Sequence, residues 1–449
     1  MSFVRIKMYI RIVFVLVATV SYCHGYICDA ILVKLPQGTI DGITSISGNG
    51  KEYYSFQEIP YAAPPIDKLR FKEPQPPTPW TDIRETCINK KVCMQKNESA
   101  LTHVPSDMTI SEDCLYLNVY TPQKPGTSEQ PLPVLFYIHG GGFFYGSGAR
   151  QYHEPKYFMD YDVVVVTFNY RLGPFGFLTT ADDVIPGNLG LKDQLYALKW
   201  TVENINLFGG DADKITVVGE SAGATSAGFM QLSKRTEDLT NEQLAYFQNM
   251  LDSNLNLTVH PRLNINPEQL SQAAKEYKEV YTKTNFSDDA AAYIKYIGED
   301  VFSTPNIHHA ALVSKKAPVY FYEFSYRGQM GVQDLPVFPG ANNVGHTEDL
   351  HYLFGGIEGV SEPLSQFPDE DRQTMKKMLT LWTNFVKTLN PTPVKDELLN
   401  NVSWPMMKCG EPLNFLSINR TLVPLVNPKY YTKVKQVLDK YVKPPYYVY

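Results

Sequence analysis

Three short stretches carry residue types suited to acyl transfer. "GESAG", Gly219 to Gly223, fits G-x-S-x-G and follows the apolar run "KITVV". Glycines two positions either side of a serine let neighbouring chain pass close to a strained strand-to-helix turn. Such a turn presents the Ser221 hydroxyl at the end of the strand and points a helix N-terminus at the reacting centre. "HGGGF", His139 to Phe143, follows a second apolar run. Its consecutive glycines allow the backbone N–H groups of Gly141 and Gly142, with that of Ala222, to converge on a developing oxyanion. A serine hydroxyl needs a base, and His346 in "NNVGHTEDLHYLF" lies downstream, in the chain order Ser, acid, His. The other histidines lack such a setting. "HEPKY" at His153 has no second histidine, and His346 and His351 are spaced wrongly for one helical face, so no metal site is expected. Phe143 and Phe144, directly after the glycines, are candidates to line the acyl side, though such aromatics are as often core.

The elements that must position these residues alternate. "LPVLFYIHGGGF" and "YDVVVVTFNYRLG" read as strands running into loops, the second nearly all apolar, as a strand covered on both faces should be. "GLKDQLYALKWTVENINLFGG" has helical spacing at Leu195, Leu198, Trp200 and Ile205 and stops at a double glycine. The serine strand and a helix through "AGATSAGFMQL" follow. Strands and helices in alternation imply an α/β fold, a mostly parallel sheet with helices on both faces. A later strand is expected over Ala317 to Tyr326, and two helices around "RQTMKKMLTLWTNFVKTL" and "YYTKVKQVLDKYV".

The 449 residues, 43% of them hydrophobic, suffice for one large domain, and the net charge of −6 argues against nucleic acid as a partner. Arg5, Lys7 and Arg11 precede a short apolar run, Ile12 to Val20, with small residues near Gly25. That is the layout of a signal peptide over residues 1–25, and the run is too short for stable membrane insertion. Sequons at Asn97, Asn256, Asn285, Asn401 and Asn419 accord with a secreted glycoprotein. Once Cys23 leaves with the signal, Cys28, Cys87, Cys93, Cys114 and Cys409 remain; with five cysteines, at least one is expected free or paired outside the chain.

The chain resembles the type-B carboxylesterase and cholinesterase family of α/β-hydrolases. The resemblance rests on "YYSFQEIPYAAPPIDKLRFKEPQPPTPW", "SEDCLYLNVYTP", "LFYIHGGGF", "VVVVTFNYRLGPFGFL", "GNLGLKDQLYALKWTVENI", "FGGDADKITVVGESAGA", "GHTEDLHYLFG" and "LWTNFVKTLNPTP". It covers almost all of residues 30–232 and resumes around 300. It implies an α/β-hydrolase domain over 26–449 that cleaves small-molecule carboxylic esters without a cofactor, with Ser221 as nucleophile and His346 as general base. It also implies Gly141, Gly142 and Ala222 as oxyanion donors, a disulfide between Cys93 and Cys114, and an ion pair of Arg70 with Glu112. No tryptophan lies between Cys93 and Cys114, so the cation–π site of choline-specific relatives is missing, and Glu220 before the serine is the residue of general esterases.

The pattern breaks after residue 232. Two further strands of the sheet, the second leading to the turn that bears the family's catalytic Glu, are not found; "MQLSK" passes directly into "RTEDLTNEQLAYFQNMLDSN". The domain is therefore read as shortened between about 232 and 245. Two consequences are expected. Either the Ala317 to Tyr326 strand pairs nearer the serine strand, or one flank of the sheet stays open. The acid must come from elsewhere, with Glu237 and Glu242 the candidates by position, although each also reads as a solvated helix residue. A catalytically impaired or binding-type relative is the alternative to an active esterase.

Overall fold

The computed structural model describes residues 31–97, 104–127, 130–232, 265–281, 303–331, 344–355, 364–408, 412–428 and 431–443, apart from a few single positions, with a two-residue strand pair before them. Seven strands form the path of the main sheet: β1 (Ile31–Leu35), β2 (Gly38–Ile46), β3 (Glu52–Pro60), β4 (Tyr116–Thr121), β5 (Leu132–Ile138), β6 (Val164–Phe168) and β7 (Gly210–Gly219). Their order is β7-β5-β6-β4-β3-β2-β1, with Arg84–Glu85 added beside β2. The long strands β7, β5 and β6 are mutually parallel, and β6 through β1 run antiparallel to their neighbours. The parallel part is the part that carries the candidate site. Its loops all leave from the C-terminal edges of the strands.

Alternation along β5 divides the core. Val134, Phe136 and Ile138 point to one face and pack with Ala197 and Trp200 of helix α1 (Leu189–Asn204) and with Phe208. Leu135 and Tyr137 point to the other, where they meet Met375, Met378 and Leu379 of a 20-residue helix, Asp369–Thr388. Burial on both faces explains why β5 and β6 read as unbroken apolar runs rather than alternating ones. Helix α2 (Ala222–Leu232) follows β7, and α3 (Pro267–Glu279) packs on the C-terminal helix α5 (Tyr431–Tyr441) through Tyr277, Val434 and Leu438. The Asp369–Thr388 helix, α4, lies between those two in sequence.

Among the described residues β7 pairs with β5 alone and ends the sheet, and its residues are half-buried where those of β5 are buried. The late strand is shorter than expected, β8 (Tyr322–Phe324), with an isolated bridge at Val319. It does not join β7. It pairs instead with β9 (Asn414–Ile418), which pairs with β10 (Leu422–Val426), in a separate three-stranded sheet. Glu237, Glu242, Cys28, Cys409, the sequons Asn256 and Asn285, and nearly all of the 1–25 segment lie outside the described residues.

Candidate active site

The turn after β7 is built as its glycines demand. Ser221 sits at φ +51°, a left-handed conformation that costs a non-glycine residue about 1 kcal/mol or more and persists only when its surroundings fix it. They do. A Cβ on Gly219 would lie 2.1 Å from the carbonyl of Gly223, and one on Gly223 would lie 2.0 Å from the carbonyl oxygen of Ile138. The N–H of Gly223 donates to the Glu220 carbonyl at 2.7 Å, and the N–H of Thr225 to that of Ser221 at 3.0 Å, starting α2. β5 and the turn are thus in backbone contact, which sets the glycine loop after β5 beside the serine.

In that loop Gly141 and Gly142 have φ of +97° and +59°. Among the described residues the N–H groups of Gly141, Gly142 and Ala222 have no protein acceptor. The Gly141 carbonyl accepts from Phe144 and Tyr145, which folds the loop back on itself. His139 anchors it: its ring is fully buried, stacks on Tyr170 at 4.4 Å and places Nδ1 2.9 Å from the Gly140 carbonyl, while the Tyr170 hydroxyl donates to the His139 carbonyl. Burial lowers its pKa to about 3, so the ring stays neutral and Nδ1 carries the hydrogen. Phe143 packs on Phe177, whereas Phe144 is exposed. The loop after β6 braces the glycines through the Gly173 N–H to the Phe143 carbonyl, 2.7 Å. That loop is held in turn by a buried pair, Arg171 with Asp193 at 2.6 Å.

His346 comes from a loop that enters the single turn Glu348–Tyr352, with Thr347 at φ +73°. Its Nε2 lies 3.3 Å from Oε1 of Glu220, the residue before the serine. Glu220 is only 13% exposed and His346 43%. The Ser221 side chain and the N–H of Gly140 lie near the same Glu220 carboxylate and favour its charged form. Burial, reinforced by the charge of Asp349, pushes the Glu220 carboxyl up to about 7 against the opposing pull of those two donors. Burial also lowers the His346 pKa, and the Asp349 charge works against that shift. Asp349 is itself raised by burial and accepts a 2.6 Å hydrogen bond from the Tyr322 hydroxyl on β8. Two carboxylates therefore attend the imidazole, neither of them Glu237 or Glu242. Asp349 was detectable in sequence: "HTED" places a carboxylate three residues after the histidine, within one turn.

This combination of a serine elbow, a glycine loop with free N–H groups and a histidine held among carboxylates invites comparison with known proteins. The carboxylesterase family profile matches residues 29–246 and 240–437. The chain belongs to the carboxylesterase family. The two matched stretches overlap at 240–246. A juvenile hormone esterase of Tribolium castaneum is 46% identical over 223 residues, 49% of this chain and 37% of that protein. A para-nitrobenzyl esterase of Bacillus subtilis (strain 168) is 29% identical, covering 83% of this chain and 92% of the relative, over 474 aligned positions against the 449 residues here. The chain thus spans little more than a third of the length of its first curated match, and the longer alignment includes positions it lacks. Among solved structures, juvenile hormone esterase from Manduca sexta, with OTFP covalently attached, superposes with a TM-score of 0.76 at 25% identity, covering 92% of this chain and 99% of that one. The α/β-hydrolase fold is the one expected.

The disulfide implied by the resemblance is present, Cys93 to Cys114, and so is the ion pair of Arg70 with Glu112 at 2.5 Å. Cys87 is also disulfide-bonded. Among the described residues no helix is long and apolar enough to cross a membrane, and no group of three or more His, Cys, Asp or Glu could hold a metal ion.

Proposed function

We propose that this chain is a secreted serine hydrolase that cleaves small-molecule carboxylic esters through an acyl-enzyme intermediate. The observation that carries the reading is the Ser221 turn at φ +51° beside a glycine loop in which the Gly141 and Gly142 N–H groups have no protein acceptor among the described residues. Ser221 Oγ attacks the ester carbonyl as its proton passes to His346. The N–H groups of Gly141, Gly142 and Ala222 receive the negative charge that develops on the carbonyl oxygen. The alcohol leaves with a proton, and water then releases the acyl group by the same route. Family membership supports this chemistry. The apolar run at 12–20 and the sequons support secretion and glycosylation.

One observation favours the impaired or binding-type reading: among the described residues β7 pairs with β5 alone, and a strand edge left unpaired is able to pair with another chain. Hydrolysis of p-nitrophenyl acetate and butyrate by the purified protein, beside Ser221→Ala, separates the two. Turnover that vanishes with the serine supports the esterase. A folded protein without turnover supports the binding reading.

A further inference from the structure

The glycine loop after β5 is clasped along its length by the segment that follows β6. At the start of the loop the Tyr170 hydroxyl donates to the His139 carbonyl at 2.9 Å, and the Tyr170 ring stacks on the His139 ring. In the middle the Gly173 N–H donates to the Phe143 carbonyl at 2.7 Å. At the end Asn169 Oδ1 accepts from the Ser147 hydroxyl at 2.8 Å and from the Gly148 N–H at 2.9 Å. Asn169 is itself fixed. Its Nδ2 donates to the Lys91 carbonyl, and its own carbonyl accepts from the Tyr61 hydroxyl at 2.7 Å. Residues 169–173 thus form a template against which residues 139–148 are laid.

The three clasps are not equivalent, because the one at His139 lies where the glycine loop crosses the serine turn. A Cβ on Gly223 would lie 2.8 Å from the His139 carbonyl oxygen, and one on Gly140 would lie 2.8 Å from the Glu220 carbonyl oxygen. The two backbones meet there with no room for a side chain between them. A peptide unit is planar, so the bond that fixes the His139 carbonyl also fixes the Gly140 N–H and the start of the run that carries the Gly141 and Gly142 N–H groups. Those two glycines, at φ +97° and +59°, take their direction from such anchors, since glycine itself prefers neither hand. Tyr170 is fully buried, and burial together with the Glu220 charge raises its pKa, so the hydroxyl keeps its proton and donates.

We propose that Tyr170 is a positioning residue of the oxyanion site: its hydroxyl, acting through the His139 carbonyl, aims the Gly141 and Gly142 N–H groups at the charge that develops on the substrate carbonyl oxygen. This rests on the esterase reading of the same site. The effect belongs to the transition state. Displaced N–H groups still admit the neutral ester but meet the oxyanion less well.

The test compares full-length wild type, Tyr170→Phe and Tyr326→Phe by kcat and KM for p-nitrophenyl butyrate, by affinity for phenylboronic acid, which forms a tetrahedral anion on an active serine, and by urea unfolding. Phenylalanine at 170 keeps the ring stacked on His139 and removes the donor. Tyr326 is also buried, and its hydroxyl donates to Asp371 Oδ1 at 2.5 Å, so its Phe variant loses a buried hydrogen bond away from the glycine loop. Tyr170→Phe should lose about 10- to 100-fold in kcat with KM within about threefold, and should bind the boronic acid more weakly by a similar factor. Tyr326→Phe should keep kcat within about threefold of wild type, whatever it loses in stability. Wild-type kcat in Tyr170→Phe overturns the proposal and leaves the esterase reading intact. So does a rise in KM without a fall in kcat, which would make the hydroxyl a binding group. An equal fall in kcat in both variants also overturns it, because the loss then follows stability rather than position. A folded wild type that turns over no ester overturns the esterase reading and this proposal with it.

Discussion

Replacing Glu220 by Gln should make the protein more stable, with an effect tied to pH. In the fold the carboxyl ionises near 7 rather than near its ordinary 4.5, because it is buried and faces Asp349. Holding it charged therefore costs about 3 kcal/mol. Below pH 4.5 the group is protonated in both folded and unfolded chains and the cost is absent. Between 4.5 and 7 the folded chain holds the proton more tightly, so stability declines as pH rises, and above 7 the whole cost is present. Glutamine has nearly the same shape, can accept from Gly140 and never ionises. At pH 8 the Gln variant should be more stable by about 3 kcal/mol, a shift of roughly 3 °C in Tm for a chain of this size. At pH 4.5 the two should melt almost together. Scanning fluorimetry at the two pH values, with chemical denaturation at pH 8, reads the difference. A Gln variant that melts at or below wild type at pH 8, or a gap that does not depend on pH, would refute the burial argument.

Three further outcomes follow from packing. Gly223→Ala places a methyl 2.0 Å from the Ile138 carbonyl oxygen, so the turn must move; stability should fall by about 1–3 kcal/mol and ester turnover by about 100-fold through misplacement of Ser221. Asp193→Ala strands the buried Arg171 guanidinium and should cost about 3–5 kcal/mol by urea unfolding, whereas Arg70→Ala, at an exposed pair, should cost less than about 1 kcal/mol. Replacing Cys93 and Cys114 by serine opens a loop with a sequence separation of 21 and should lower stability by about 3 kcal/mol, measured beside reduced wild type.

Much of the site was legible because its constraints are local and steric. "GESAG" and "HGGGF" announce close backbone approach, and the structure shows what each glycine avoids. The Asp369–Thr388 helix was legible from its apolar spacing and the parallel strands from their unbroken apolar runs. What could not be read were contacts between distant segments. Nothing in "GES" says that Glu220 will face His346, because that depends on where a loop more than a hundred residues later is carried by a different sheet. The family's chain order puts the acid between Ser221 and His346. That order led past Asp349, one turn beyond the histidine and fixed by Tyr322. The pairing of β8 with β9 rather than with β7 likewise depended on a strand near the C-terminus that carries no mark of its partner.

The most direct test of an acyl-transfer site at Ser221 is to label the purified protein with a fluorophosphonate and locate the adduct by peptide mass mapping. One phosphonyl group on the peptide containing Ser221, absent from Ser221→Ala, is the expected result. A folded protein with no adduct, or an adduct on another residue, would contradict it.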